Sequence, residues 1–141
     1  MDKEDVWQKF DKHTRYAIRK AEKEGVVVSD ATSLDDIREM YELHVARTKD
    51  IKGWVPLPYM MFEGLWKSFK PGKDAKFLIA RYKGKPIAES IFLCFRDNVH
   101  YFNNASLKEY QHLNANSLLI WRAIEWAMEG GHRHEEVMGN V

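Results

Sequence analysis

The chain lacks the usual marks of a secreted or membrane protein. Its 141 residues include a single cysteine, Cys94, so no internal disulfide can form and a reducing, cytoplasmic setting is expected. No apolar run approaches the roughly 20 residues that cross a bilayer, and the charged start, Met1–Asp5, is unlike a signal peptide. We therefore expect one soluble domain with a single core and no membrane insertion.

A large excess of charge of one sign is also missing. The 22 basic and 21 acidic residues nearly cancel to a net charge of +1, which argues against a dedicated nucleic-acid or membrane-surface protein. Candidate metal ligands are sparse as well. His132 and His134 stand beside Glu135 and Glu136, but a His-x-His pair without a third, distant ligand is a weak zinc signal. No metal is expected.

Three apolar runs in the middle of the chain predict an antiparallel meander. They are Phe77–Tyr82, Ile87–Phe95 and Val99–Ala105, and short turn signals separate them. Because the middle run is apolar at both alternating sets of positions, we expect both faces of the sheet to be covered. Val26–Val28 predicts a further strand before the meander, and His134–Val141 predicts a short one after it.

Helical signals surround these strands. Residues 1–24 predict two helical pieces, with Asp11 capping the second and Gly25 ending it. Further helices are predicted from Ser33 over about four turns, from Pro58 to Phe69 and from Ser117 to Glu129. The order predicts an α+β, or mixed α/β, fold with a mostly antiparallel central sheet flanked by helices.

Two segments are candidate binding surfaces. The second helical piece displays Arg15, Arg19 and Lys20 outward, either as a solvated face or as a contact for phosphate or carboxylate groups. The last strand of the meander ends in the polar sequence Asn103–Ser106, and a loop leads from it to a helix that begins near Asn116. A polar strand end beside a helix N-terminus suits an anionic or carbonyl group.

Several stretches together resemble a known family. In order along the chain they are Arg15–Val26, Tyr41–Thr48, Pro58–Trp66, Leu78–Ala88, Tyr101–Ser106 and Asn116–Trp121. This ordered set resembles the FemAB-like branch of the GNAT acyltransferase superfamily over nearly the whole chain. The resemblance implies a GNAT-like sheet and an enzyme that transfers an acyl group from coenzyme A, or an aminoacyl group from charged tRNA, to an amine. The acceptor would be a small molecule or a peptidoglycan precursor.

The resemblance also implies roles for particular residues. The strand with Tyr101, Asn103 and Asn104 would hold the acyl carbonyl against its backbone amides. Glu89 would be the carboxylate that accepts the amine proton, or alternatively an outward-facing strand residue, and with Tyr101 it forms the candidate catalytic pair. The candidate substrate-binding residues are Arg15, Arg19, Lys20, Asn103, Asn104, Ser106 and Asn116.

Two departures from the family pattern matter. Residues Lys108–Asn116 contain no glycine, whereas a coenzyme A-binding GNAT protein has a glycine-rich turn there whose amides wrap pyrophosphate. Acyl-coenzyme A and aminoacyl-tRNA therefore both remain candidate donors.

We also expect residues 1–141 to be a single domain that lacks the family's C-terminal strands. A homodimer is expected to form through the open strand His134–Val141. The alternative function is a non-catalytic binding or scaffold domain of the same fold.

Overall fold

A computed structural model describes residues 2–139. The order of helices and strands largely matches the order that the sequence predicts. In chain order they are α1 (Lys3–Lys9), α2 (Lys12–Lys23), β1 (Val26–Asp30), α3 (Leu34–Lys49), α4 (Tyr59–Ser68), β2 (Ala75–Tyr82), β3 (Lys85–Phe95), β4 (Asn98–Ser106), a 3-10 helix (Lys108–Leu113), α5 (Ala115–Glu129) and α6 (Glu135–Met138).

The four strands form one antiparallel sheet in the order β1-β2-β3-β4. Tight turns join β2 to β3 and β3 to β4, and their residues Lys83, Gly84, Arg96 and Asp97 all have positive φ. Turns of this hand match the right-handed twist of the strands that they connect. The predicted meander and the predicted mixed α/β fold with a central antiparallel sheet are therefore confirmed.

Helices cover both faces of the sheet. On one face α2 and α5 bury a core that includes Leu78, Ala80 and Phe92, and on the other face α3 and α4 bury a core that includes Phe77 and Ile79. The alternation of β2 between these two cores explains why its residues are apolar at successive positions. Both faces are covered, as the sequence predicts, and β1 and β4 are the two edge strands of the sheet.

The helix caps follow the sequence signals. The Asp11 carboxylate accepts a hydrogen bond from the Thr14 N–H at 2.7 Å, and the Ser33 hydroxyl accepts one from the Asp36 N–H at 3.3 Å. Gly25 follows α2 with φ of +96°, a conformation that favours glycine. These residues fix both ends of α2 and the start of α3.

The predicted final strand is wrong over the part of it that the structure describes. Glu135–Met138 is helical, and Val137 is fully buried instead of lying on a strand edge. Two acidic residues in its first turn suit a helix N-terminus, and Val137 packs into the core on the α5 side. Residues 140 and 141 lie outside the described part. The edge on which the predicted homodimer depends is therefore not formed by residues 134–139.

Strand β4 is one of the two edge strands of the sheet. Its inner side pairs with β3, whereas on its outer side an isolated parallel bridge joins Asn98 to Arg133 among residues 2–139. The polar end of β4 thus keeps backbone groups that no other described strand occupies. Within the same part of the chain, no helix is both long enough and apolar enough to cross a bilayer.

Candidate active site

A polar cavity of about 460 Å³ lies at the C-terminal end of β4. Three walls enclose it: the second half of α3 with the loop after it, the end of β4, and the 3-10 helix with the start of α5. The residues that line it are His44, Arg47, Thr48, Ile51, Trp54, Asn103, Asn104, Ala105, Ser106, Gln111, Asn114, Asn116 and Ser117. No aspartate or glutamate is among these described lining residues.

A bulge in β4 sets the orientation of its polar end. Phe92 pairs with Tyr101 and Ile91 pairs with Asn103, so Phe102 is an extra residue between the two pairs. After the bulge, Asn103 and Asn104 point to opposite faces of the sheet. Asn103 meets the α3 side and Asn104 meets the α5 side. The strand edge between these side chains therefore faces the cavity.

Asn103 is held by Glu89, which is fully buried on β3. The Asn103 Nδ2 donates to Glu89 Oε1 at 2.6 Å, and Glu89 Oε2 has no hydrogen-bond partner among residues 2–139. Burial raises the pKa of Glu89 well above its usual range, and the bond from Asn103 only partly opposes this. Burial therefore favours the protonated form of the carboxyl, and Glu89 is not the outward-facing residue of the alternative interpretation.

Asn104 is held by the first turn of α5, where its Nδ2 donates a hydrogen bond to Asn116 Oδ1. The residue before this helix, Asn114, is left-handed with φ of 59°. The N–H groups in the first turn of a helix have no intrahelical partners and carry a partial positive charge. The β4 edge and the α5 N-terminus thus bring backbone donors to one place, where a carbonyl oxygen or an anion can accept their hydrogen bonds.

The α3 wall contains residues to which the sequence assigned no role. His44 is 6% exposed, and its Nε2 accepts a hydrogen bond from the Leu57 N–H at 2.9 Å. The ring proton therefore sits on Nδ1, and burial lowers the pKa of His44, so the neutral form persists at pH 7. The sequence does contain a sign of this wall. In the stretch Tyr41–Thr48, the polar residues His44 and Thr48 stand one helical turn apart and so share one face of the helix.

The structure separates the remaining predicted residues from the cavity. Tyr101 does not line it, and its ring packs edge-on against Phe92 with centroids 5.6 Å apart. Burial, and then the nearby Glu89, raise the pKa of the Tyr101 phenol, which keeps its proton. Arg15, Arg19 and Lys20 lie on α2, which packs on the α5 side, and they do not line the cavity.

Two of the predicted basic residues of α2, Arg15 and Arg19, have local partners. The Arg15 Nη1 donates to the Phe10 carbonyl at 2.5 Å and to the Gln8 carbonyl at 3.3 Å, at the end of α1. The Arg19 guanidinium lies 5.2 Å from the centroid of the Trp7 ring. Of the predicted site residues, the cavity therefore gathers Asn103, Asn104, Ser106 and Asn116. Glu89 is joined to it through Asn103.

His132 and His134 stay apart from this cavity. The Nδ1 atoms of both rings are buried without a hydrogen-bond partner in the described chain, and His132 Nδ1 lies 3.6 Å from Asp97 Oδ1. Residues 2–139 contain no group of three or more histidine, cysteine, aspartate or glutamate side chains that could hold a metal ion.

The sheet, its two helical layers and the cavity at the end of β4 place the chain in the GNAT fold class. Residues 8–140 match the family model described as an acetyltransferase (GNAT) domain, and the chain therefore belongs to that family. No curated protein sequence matches the chain significantly.

Solved structures show the same fold. FemX superimposes with a TM-score of 0.79 at 11% identity, over 92% of this chain and 48% of FemX. The ribosomal-protein-S18-alanine N-acetyltransferase from Escherichia coli gives 0.62 at 18% identity, over 76% of this chain and 62% of the enzyme. A GNAT family acetyltransferase from Brucella melitensis, in complex with acetyl-CoA, gives 0.63 at 11% identity, over 78% and 73% of the two chains. This chain thus spans about half the length of FemX.

Proposed function

We propose that this chain is an N-acyltransferase domain of the FemAB-like type, which transfers an acyl or aminoacyl group to an amine in the cavity at the end of β4. One observation carries the proposal: the open edge of β4 and the N-terminus of α5 meet in a single polar cavity without acidic lining residues. The likeness of the fold to FemX is consistent with this branch. The resemblance of the ordered sequence stretches to the FemAB-like branch supports an amine on a peptidoglycan precursor as the acceptor. The presence of a single, free cysteine, Cys94, is consistent with a protein that works in the reducing cytoplasm.

The cavity supplies what acyl transfer needs. The acceptor nitrogen attacks the carbonyl carbon of a thioester or ester, a C–N bond forms, and the C–S or C–O bond breaks. Negative charge develops on the carbonyl oxygen, where backbone N–H groups of β4 stabilise it. The departing sulfur or oxygen takes a proton as the amine nitrogen loses one. Asn103 and Asn104, each held by a partner, keep this strand end in one conformation.

Glu89 acts in this proposal as a positioning residue. Its carboxyl does not line the cavity and burial favours its protonated form, so it is a poor base for the amine. Its hydrogen bond from Asn103 leaves the amide oxygen of Asn103 free to accept a hydrogen bond from the acceptor amine. Tyr101 supports the strand by packing on Phe92.

The local structure favours an aminoacyl-tRNA donor over acyl-coenzyme A. The segment Lys108–Leu113 is a 3-10 helix, and the N–H groups of Tyr110 and Asn114 donate to the carbonyls of Leu107 and Gln111 at 3.0 and 3.1 Å. These amides are therefore not free to wrap a pyrophosphate. The Brucella melitensis structure in complex with acetyl-CoA supports the other donor. Calorimetry separates the two: we expect no tight acetyl-coenzyme A binding, and a micromolar affinity would make acyl-coenzyme A the donor.

The transfer reaction itself is tested by mass spectrometry. The chain is incubated with acetyl-coenzyme A or with charged tRNA and an amine acceptor, and the acceptor is examined for the added acyl mass. We expect transfer by the natural chain, a loss of about tenfold or more in Asn104→Ala, and full activity in Gln8→Ala, an exposed amide on α1. Equal activity in both variants would remove the cavity from the mechanism.

A binding or scaffold domain of the same fold is the second candidate. One observation favours it: no residue lining the cavity offers a free base, because His44 Nε2 is already bonded to the Leu57 N–H. Absence of transfer with both donor classes, together with retained binding of an amine ligand in the cavity, would establish this function instead.

A further inference from the structure

The α3 wall of the cavity contains an arginine without a partner. Arg47 is half-buried, and within residues 2–139 its guanidinium has neither a carboxylate within 4.0 Å nor a hydrogen bond. Every other arginine in the described chain has a carboxylate, a backbone carbonyl or an aromatic ring as its partner. Partial burial of a charged group is unfavourable unless an opposite charge or an acceptor compensates. Arg47 therefore has unused capacity to bind an anion.

His44 adds a second donor on the same wall. His44 and Arg47 stand three positions apart on α3, so their side chains are neighbours on the helix surface. The buried ring of His44 uses Nε2 to accept from Leu57, which leaves the Nδ1–H without a partner in the described chain. Thr48, the next polar residue of the wall, donates its hydroxyl to the Val45 carbonyl at 3.0 Å. The free groups of His44 and Arg47 are thus donors only.

The position of this wall relates it to the acceptor. Asn103 projects from β4 toward the α3 side, whereas Asn104 and the α5 N-terminus lie on the other side of the strand. If the acyl carbonyl lies against the β4 edge, a molecule on the α3 side approaches that carbonyl from the face opposite α5. Trp54, which is 66% exposed, lies in the loop after α3 and lines the cavity on this side.

We infer that Arg47 and His44 form an oxyanion site for the acyl acceptor, so that the acceptor is an amine that also carries a carboxylate or a phosphate group. The guanidinium of Arg47 pairs with two oxygens of the anion, and the Nδ1–H of His44 donates to one of them. The site fixes the amine at a set distance from the β4 edge and selects against neutral amines. The assignment of the anion to the acyl acceptor rests on the proposed function. The existence of an anion site at Arg47 and His44 does not depend on it.

A titration tests the site without any need for activity. Sodium phosphate and sodium acetate are added, at constant ionic strength, to the natural chain, to Arg47→Gln and to Arg38→Gln, while amide NMR signals of His44 and Thr48 are followed. Arg38 is the matched control because it lies on the same helix, is 61% exposed and pairs with Asp35. We expect saturable shifts with at least one of the two anions in the natural chain and in Arg38→Gln, and binding weaker by about tenfold or more in Arg47→Gln.

Equal binding by both variants, or no saturable binding of either anion by the natural chain, would overturn the inference. If Arg47→Gln fails to fold, Arg47→Lys decides the question. It keeps the charge but loses the two-pronged geometry, so binding should weaken several-fold, and unchanged affinity would overturn the site.

Transfer kinetics then show whether the bound anion belongs to the acceptor or to the donor. A dipeptide and its C-terminal amide are compared as acceptors, and the natural chain should prefer the free carboxylate by about tenfold, a preference that Arg47→Gln abolishes without changing the KM for the donor. A rise in the donor KM instead would assign the anion to the donor and overturn the acceptor assignment. Saturable anion binding in a chain that transfers nothing would keep the anion site while removing the proposed function.

Discussion

Asn103 Nδ2 and Glu89 Oε1 are 2.6 Å apart, and this hydrogen bond joins the wall of the cavity to a carboxyl that is fully buried in the sheet. The other oxygen of Glu89 has no partner in the described chain. A buried carboxyl in this state is stable when it is protonated, because the neutral form carries no desolvation penalty for charge. Glu89 therefore couples the geometry of the cavity to pH.

Stability should fall as pH rises because of Glu89. Its folded-state pKa is raised, so between the unfolded value near 4.5 and the folded value the native chain binds the extra proton. The contribution is complete below pH 4.5 and is lost as pH rises toward the folded pKa, with a slope of up to about 1.4 kcal/mol per pH unit. Glu89→Gln keeps the acceptor oxygen and removes the titration. Urea unfolding at pH 5, 6.5 and 8 should show the variant gaining on the natural chain at each step.

Two further outcomes sharpen this prediction. Glu89→Ala should lose about 2 kcal/mol or more at pH 5, since it leaves a cavity and an unpaired Asn103 amide, and this loss should shrink as pH rises because alanine does not titrate. A stability difference between Glu89→Gln and the natural chain that is independent of pH would mean that Glu89 is already ionised in the folded protein.

Arg15 should matter for stability, in contrast to its neighbour Lys20. Its guanidinium donates to two carbonyls at the end of α1, so Arg15→Ala should lower the free energy of unfolding by about 1–2 kcal/mol. No such bond holds Lys20 within residues 2–139, and Lys20→Ala should change stability by less than about 0.5 kcal/mol. Urea denaturation of the two variants checks this difference. Losses of equal size would show that the Arg15 bonds contribute nothing in solution.

The start of α5 should depend on the residue at position 114. Asn114 has φ of 59° and ψ of 32°, a left-handed conformation that asparagine and glycine tolerate better than alanine. Asn114→Gly should therefore be nearly neutral, and Asn114→Ala should cost about 1 kcal/mol. Thermal unfolding compares the two. Equal midpoints would indicate that the helix start rearranges when the residue changes.

The sequence predicts correctly those helices and strands that have a strong local pattern. It does not predict the conformation of segments that is set by packing against distant parts of the chain. Short apolar runs separated by turn signals identify the meander, and helical spacing identifies α5. The pair Val137 and Met138 is too short to show a period, so a strand was predicted where the core stabilises a short helix.

The site was predictable only in part, for a related reason. The polar run Asn103–Ser106 and the helix start near Asn116 stand out locally, and the structure brings them together. The partner of Glu89 depends on the bulge at Phe102, which has no local signal such as a glycine. Arg47 lines the cavity because the end of α3 packs beside β4, and this contact between distant parts of the chain is not visible in the sequence of α3.

The location of the donor site is the most direct test of an active site at the end of β4. Amide chemical shifts are mapped while the chain is titrated with acetyl-coenzyme A and, separately, with a non-hydrolysable 3′-aminoacyl-adenosine that mimics the end of a charged tRNA. At least one donor should shift the signals of residues 103–106 and 115–117, where β4 and α5 meet. Shifts that cluster instead at Trp7, Arg19 and Trp121, which line a separate groove between α1, α2 and α5, would contradict the assignment of the active site.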